Sequence, residues 1–148
     1  MARHKRRTAD EAEPTELLRG DSADGVAVPD PEATTPIVAH VLYLGGPGRP
    51  TPFTSTTESR ETARYFAGKD GRVWETSGPG AEIYGASHID HDRLLRDLTG
   101  RGKGRCKHTN AWEVKQAKAY VVQWSEHLLD WTGIDRSEAR DRVRAAFV

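Results

Sequence analysis

Short strand-like segments occupy the first part of this chain, and segments with helical periodicity occupy the last part. Apolar and β-branched residues fill positions 37–44 and end at a glycine-rich loop, which predicts a buried strand. Further short strands are predicted at 51–56, 72–76 and 81–84, where turn-forming residues separate similar runs. Strands early and helices late predict an α+β fold, in which helices cover a small sheet.

Helices are predicted at four places. A threonine N-cap and glutamates in the first turn favour a helix over 58–67, because both complement the unpaired N–H groups and the dipole at a helix start. Leucines on one face predict a short helix over 89–98. The strongest helical signal covers 110–131, where apolar residues repeat on one face after a possible asparagine cap. A last helix is predicted over 138–147.

The first 36 residues are predicted to be a disordered or loosely attached arm. Arg, Asp, Glu, Ala, Pro and Gly dominate this segment, and its apolar side chains are too sparse to offset the entropy of ordering the backbone. Residues 37–148 have the size of one ordinary domain. The sequence therefore predicts an arm over 1–36 and a single α+β domain over 37–148.

Charge and cysteine content exclude several classes of protein. The 22 basic and 22 acidic side chains cancel, so no overall field attracts a nucleic acid or an anionic membrane. The single cysteine excludes an intrachain disulfide and fits a reducing compartment. No apolar run has the length of a signal sequence or a membrane-spanning helix. We therefore expect a cytoplasmic protein without a membrane partner, and the composition argues against a nucleic acid partner.

Three motifs follow one another in the first half of the chain. They are Tyr43-Leu44-Gly45-Gly46 at a predicted strand end, Phe53-Thr54-Ser55-Thr56-Thr57 at the next, and Ala63-Arg64-Tyr65-Phe66-Ala67 in the helix after it. Their types and order resemble the mono-ADP-ribosyltransferase superfamily. The resemblance implies a small β-sheet core with C-terminal helices, NAD as the substrate, and transfer of ADP-ribose to an unknown acceptor such as a protein.

The resemblance also implies roles for particular residues. Ser55 on the second strand and Glu82 on the strand after Trp74 are the candidate catalytic residues. A strand exit rich in glycine lets a cofactor approach the backbone, and aromatic side chains can wall a nicotinamide pocket. The candidate cofactor-binding residues are Tyr43, Gly45, Gly46, Phe53 and Thr56.

Two features depart from the family pattern. Leu44 follows the strand tyrosine, at the position where the family carries the Arg or His that holds the dinucleotide. A leucine side chain offers neither charge nor a hydrogen bond there. The Glu-x-Glu pair that contacts the ribose in the family is also missing from the last part of the chain. The alternative hypothesis is therefore a noncatalytic module of the same fold that binds a ligand or a protein partner.

A second group of residues has the chemistry of zinc ligands. His88 and His91 lie three positions apart, and Cys106 precedes His108 with one residue between them. These types bind zinc, but their spacing is not that of a standard zinc finger. We interpret the histidines as exposed loop residues and the cysteine as half-buried, and we predict no metal site.

Overall fold

The computed structural model describes residues 14–46, 48–98 and 110–148. Five strands form one sheet. Their bounds are Glu16–Ser22 (β1), Phe53–Thr57 (β2), Gly71–Ser77 (β3), Ser87–Ile89 (β4) and Glu126–Asp130 (β5). The strand order is β3-β1-β2-β5-β4, and every neighbouring pair is antiparallel. The predicted α+β class is confirmed at this level.

Six α-helices accompany the sheet in the described part of the chain. Their bounds are Ile37–Val41 (α1), Arg60–Ala67 (α2), Gly78–Glu82 (α3), His91–Asp97 (α4), Ala111–Gln123 (α5) and Ala139–Ala146 (α6), the last preceded by the 3-10 helix Arg136–Glu138. Side-chain caps fix several starts: the Ser59 oxygen accepts from the N–H of Thr62, and Asn110 accepts from the N–H of Glu113. Residues next to these helices therefore determine where they begin.

Two apolar clusters lie on opposite faces of the sheet. Neighbouring side chains on a strand point in opposite directions, and the fully buried Leu128 and Leu129 of β5 accordingly enter different clusters. Residues of α1, α4 and α5 pack around Leu128. Residues of α3 and α6 pack around Leu129, together with the fully buried Trp131. Polar residues that remain buried on β2 and β5 are thus held between two apolar layers.

The predicted boundary between arm and domain is wrong. Residues 1–13 lie outside the described residues, but the rest of the supposed arm contributes β1, which lies between β2 and β3. Leu17, Leu18 and Val26 are at most 2% exposed. The segment Glu16–Ser22 contains only two apolar residues, so its composition did not indicate a strand. It becomes one because both of its edges pair with other strands.

Local predictions agree with the structure in five elements and differ in three. The predicted strands at 51–56 and 72–76 correspond to β2 and β3, and the helices at 58–67, 89–98 and 138–147 correspond to α2, α4 and α6. The boundaries shift by at most two residues, as is usual at element ends.

Two predicted elements are wrong, and a third, the long helix, is right only over its first part. The apolar run at 37–44 forms the short helix α1 and a turn, since a fully apolar run does not distinguish a buried strand from a buried helix. The segment at 81–84 ends α3, which Ser77 caps and which has Pro79 in its first turn. The long helix over 110–131 stops at Gln123, and the chain turns at Ser125 into β5.

Candidate active site

A cleft of about 320 Å³ opens between β1, β2, α2 and the turn that follows α5. The strand β1 comes close to α2 because residue 20 is glycine: a Cβ at Gly20 would clash with the carbonyl oxygen of Ala63. Arg19, Ser55 and Glu126 line the cleft from three different strands. Side chains that lie far apart in the sequence therefore share one concave surface.

Glu126 is the buried carboxyl group of this cleft. It is the first residue of β5 and only 5% exposed. Burial raises the pKa of Glu126 from its ordinary value to about 7, although a hydrogen bond from Ser55 and the charge of Arg19 act in the opposite direction. A carboxyl group with this pKa changes its protonation state near neutral pH, which is a property of many functional sites.

Arg19 is held in place by its own strand and by β2. Its Nη1 donates to the backbone oxygen of Ser55 over 2.9 Å, and its Nε donates to Asp21 over 2.7 Å. Burial alone would raise the pKa of Asp21, but Arg19 and the backbone N–H groups of Ala27 and Ser22 together hold it below its ordinary value. Asp21 therefore stays ionised and fixes the guanidinium beside the cleft.

Ser55 has a buried histidine as its neighbour. The ring of His40, from α1, is 7% exposed and lies between two hydroxyl groups. Its Nε2 is 2.8 Å from Ser55 Oγ, and its Nδ1 is 2.7 Å from Thr51 Oγ1. Burial lowers the pKa of His40 to about 3, and nearby Arg49 and Arg19 add to the effect. The imidazole is therefore neutral throughout the physiological pH range.

Aromatic side chains border the cleft. Phe66 of α2 and Trp124, directly after α5, line it and make an edge-to-face contact with ring centroids 5.0 Å apart. Trp124 also stacks on Tyr120 with centroids 4.8 Å apart. Tyr43 lines the cleft as well, in the turn that follows α1. Such rings can pack against a flat aromatic ligand at offset or edge-to-face geometry.

The structure brings together some of the predicted site residues and separates others. Ser55, Thr56 and Tyr43 line the cleft. Phe53 is only 3% exposed and belongs to the apolar cluster around Leu128, with its ring against His40. It is thus a core residue that also borders a second cavity of about 230 Å³, together with Tyr43 and Ser55.

The predicted glycines and the predicted acid lie elsewhere. Gly45 and Gly46 have φ angles of +96° and +78° and form the turn after α1, outside this cleft, and Gly46 also lines the second cavity. Glu82 is exposed at the end of α3 and does not line the cleft, whereas Glu126 does line it. Leu44 is 42% exposed in the same turn as the glycines and does not line the cleft either.

Sequence reasoning missed Arg19, His40 and Glu126. Arg19 lay in the segment predicted to be an arm, His40 in a predicted strand and Glu126 in the middle of a predicted helix. One signal for Arg19 was available: two adjacent leucines precede it and a glycine follows, which fits a short buried strand that another backbone approaches closely. For Glu126 the local sequence offers no comparable signal.

A histidine cluster lies behind β5. The Nε2–H of His127 donates to Glu58 over 2.6 Å, so its Nδ1 accepts from the Nε2–H of His88 over 2.9 Å. His91 donates through Nδ1 to the backbone oxygen of Glu126 over 3.0 Å. Among the described residues no three His, Cys, Asp or Glu side chains are arranged to hold a metal ion. Cys106 and His108 lie outside the described residues, so the question of zinc stays with the sequence-based prediction.

Comparisons with known proteins add no family. The chain matches no protein-family model, no curated protein and no solved structure. No helix in the described ranges combines the length and the apolar character needed to cross a membrane.

Proposed function

We propose that this protein is an NAD-dependent mono-ADP-ribosyltransferase whose site consists of Arg19, Ser55 and Glu126. The sequence resemblance calls for a strand Arg or His that holds the dinucleotide, a serine on a second strand and an acid near the ribose. The observation that carries the proposal is that one cleft contains all three residue types, each from a different strand.

The chemistry of NAD cleavage fits this arrangement. When the bond between the ribose C1′ and the nicotinamide nitrogen breaks, the nicotinamide leaves with the bonding electrons and positive charge develops on the ribose. A nucleophilic atom of the acceptor then bonds to C1′ and loses its proton. The ionised Glu126 carboxylate, inside a buried site, stabilises that developing charge more than it would in water. Its ionised form is therefore the active one.

The other residues bind the substrate. The guanidinium of Arg19 presents donors to the diphosphate of the dinucleotide, and Arg is well suited to planar anionic groups. Phe66 and Trp124 offer aromatic surfaces to the nicotinamide ring at the same cleft. These contacts orient the C1′ atom toward Glu126, and such orientation can supply several kcal/mol of a barrier.

The alternative of a noncatalytic module rested mainly on Leu44. Because Leu44 lies in an exposed turn outside the cleft and Arg19 lies inside it, Leu44 no longer argues against turnover. The missing Glu-x-Glu pair remains a difference from the family, since Trp124 stands two residues before Glu126. We assign Trp124 to the surface that contacts the nicotinamide or the acceptor.

Release of nicotinamide from NAD tests the proposal. Wild-type protein should release nicotinamide, Glu126→Gln should lower kcat at least a hundredfold in view of what a single charge-stabilising group contributes elsewhere, and Arg19→Lys should mainly raise KM. Glu82→Gln is the matched control, because this carboxylate is exposed and outside the cleft, and it should behave like the wild type. Release that survives in Glu126→Gln would refute the proposed role of the site.

Absence of release has a separate reading. A thermal shift with NAD in the wild type, lost in Arg19→Lys, would show that the cleft binds the dinucleotide without turning it over. If NAD causes neither nicotinamide release nor a thermal shift, the proposal is refuted and the partner-binding module is favoured.

A further inference from the structure

The Ser55 hydroxyl group has two partners, and only one of them accepts its proton. Its oxygen lies 2.8 Å from His40 Nε2, and the register of β2 and β5 puts the Glu126 carboxyl on the same face of the sheet, where a hydrogen bond from Ser55 lowers its pKa. A hydroxyl has one hydrogen to donate, whereas an ionised carboxylate can only accept. If Ser55 donates to Glu126, His40 must donate to Ser55 through Nε2–H.

The other side of the imidazole fits that tautomer. With the hydrogen on Nε2, the Nδ1 atom must accept, and its partner is Thr51 Oγ1 at 2.7 Å. Thr51 Oγ1 already accepts from the backbone N–H of Phe53 over 3.3 Å, which leaves its own hydrogen to donate to Nδ1. The hydrogen bonds therefore run in one direction, from Thr51 to His40, Ser55 and Glu126.

Burial keeps this chain in one arrangement. His40 is 7% exposed, and its ring contacts Phe53 edge to face with centroids 5.3 Å apart. Because its pKa is about 3, the ring carries only one N–H at neutral pH. A second N–H, on Nδ1, would leave no acceptor for the hydrogen of Thr51. The imidazole thus stays neutral between two fixed partners, and while Glu126 is ionised the hydrogen bonds have a single direction.

We propose that His40 is a positioning residue that, as its neutral Nε2–H tautomer, turns the Ser55 hydroxyl toward the ionised Glu126 carboxylate. The consequence for catalysis rests on the proposed function, but the hydrogen-bond chain can be measured without it. In the opposite tautomer, Ser55 would donate to His40 and could not donate to Glu126. The ionised form of Glu126 would then lose a stabilising hydrogen bond.

Few charged groups share this environment. Arg19 on β1 is the cation that acts on the Glu126 carboxyl, and Asp21 neutralises it from the same strand. From α4, His91 contacts the backbone oxygen of Glu126 and not its carboxyl group. His127 follows Glu126 on β5 and bonds to Glu58 on the other face of the strand. Removal of His40 should therefore act on Glu126 through Ser55.

The direct test is the tautomer itself in the wild-type protein. Nitrogen-15 NMR of the imidazole distinguishes a hydrogen on Nε2 from one on Nδ1. The proposal requires the Nε2–H form at pH 8 and above, where Glu126, with a pKa of about 7, is ionised and can only accept. A dominant Nδ1–H form would overturn the proposal, whether or not any variant folds.

Substitutions test the effect on the carboxyl group. His40→Leu removes the donor at similar volume, and His40→Gln retains an N–H near the position of Nε2. Carbon-13 NMR should show the pKa of Glu126 raised by on the order of one unit in His40→Leu and restored toward the wild type in His40→Gln. Thr54→Val is the matched control on the same strand, and it should leave this titration unchanged. A folded His40→Leu protein with an unchanged Glu126 titration would also overturn the proposal.

The kinetic readout separates positioning from simple loss of stability. In His40→Leu, kcat for nicotinamide release should fall by on the order of a hundredfold with little change in KM, and the acid side of the pH profile should move to higher pH. His40→Gln should recover part of kcat. Failure of the wild type to release nicotinamide would refute the proposed function and leave the two NMR tests of His40 intact. Unchanged kcat in a folded His40→Leu protein would contradict the positioning role.

Discussion

Thr54 and Ser55 are neighbours on β2, and their hydroxyl groups form different contacts on opposite faces of the sheet. Thr54 is 3% exposed, and its oxygen accepts the Nε1–H of the fully buried Trp131 over 3.0 Å. Ser55 instead meets His40 and Glu126, beside an open cleft. The Thr54 hydroxyl satisfies a polar atom of a core residue, whereas the Ser55 hydroxyl contacts a carboxyl group that gains or loses a proton near neutral pH.

This contrast shows how a buried polar group can be recognised as structural or functional. A structural hydroxyl satisfies a partner that does not titrate and is surrounded by apolar side chains, as in the cluster around Leu129. A functional one is satisfied by groups whose protonation can change, and a cleft reaches it. The Ser55 side costs stability because it buries the Glu126 carboxyl, whereas the Trp131 side provides stability.

The largest expected effect lies on the Thr54 side. Trp131→Ala removes a fully buried aromatic ring from the Leu129 cluster and should lower the free energy of unfolding by about 3–5 kcal/mol. Chemical denaturation measures the loss. Trp112→Ala is the control, because this ring is 65% exposed and should change the free energy by only a few tenths of a kcal/mol, as is usual for surface sites. Equal effects at the two positions would mean that Trp131 does not anchor the cluster.

The next effect has the opposite sign and lies on the Ser55 side. The folded-state pKa of Glu126 is about 7 and its ordinary value is 4.5, so between these values the native protein holds a proton that the unfolded chain releases. Stability therefore falls as the pH rises through this window. Glu126→Gln does not titrate, and at pH 8 it should exceed the wild type in unfolding free energy by up to about 3 kcal/mol, since one pKa unit corresponds to about 1.4 kcal/mol.

The same pair of proteins should be nearly equal at pH 4.5, where the carboxyl group is neutral in the folded protein and half protonated in the unfolded chain. Denaturation of both proteins from pH 4.5 to pH 8 checks this. Glu82→Gln is the matched control, because Glu82 is exposed and should follow the wild type at every pH. A constant difference between Glu126→Gln and wild type across the range would mean that Glu126 titrates normally.

The pH dependence of turnover follows from the same group. Because the ionised carboxylate is the active form in the proposed mechanism, kcat should fall as the pH is lowered through about 7. His40 does not contribute to this decline, since its pKa is about 3. A steady-state profile from pH 5 to pH 9 measures it, and a flat profile over this range would separate the activity from the protonation of Glu126.

The sequence predicted the Ser55 strand and the helix after it, because their signals are local. A short β-branched run leads directly into the helix, and no distant residue is needed to define either element, although the capping residue is Ser59 and not the predicted threonine. The resemblance based on these motifs named Ser55 as a catalytic residue; the structure places it in the cleft, and its role stays a prediction.

The other two members of the site depend on distant contacts. β1 has a mostly polar sequence, so it becomes a strand only through pairing with β2 and β3, and Arg19 was hidden with it. Glu126 was hidden because apolar residues continue at helical spacing from Val121 to Leu128, across a turn at Ser125 with φ of +47°. A positive φ at a residue other than glycine leaves little trace in the sequence.

The smallest expected effects compare the two neighbouring hydroxyls directly. Thr54→Val keeps the volume but leaves the Nε1–H of Trp131 without its acceptor, and this should cost about 1–3 kcal/mol of unfolding free energy while the pKa of Glu126 stays unchanged. Ser55→Ala should change the free energy of unfolding less, because at neutral pH it removes a hydrogen bond from the Glu126 carboxyl, whose ionisation is already unfavourable. The pKa of Glu126 should rise instead. Denaturation at pH 7 and carbon-13 titration of Glu126 give both quantities for both proteins. The opposite pattern, with the larger stability loss in Ser55→Ala and the pKa shift in Thr54→Val, would mean that the structural and functional faces of β2 have been assigned the wrong way round.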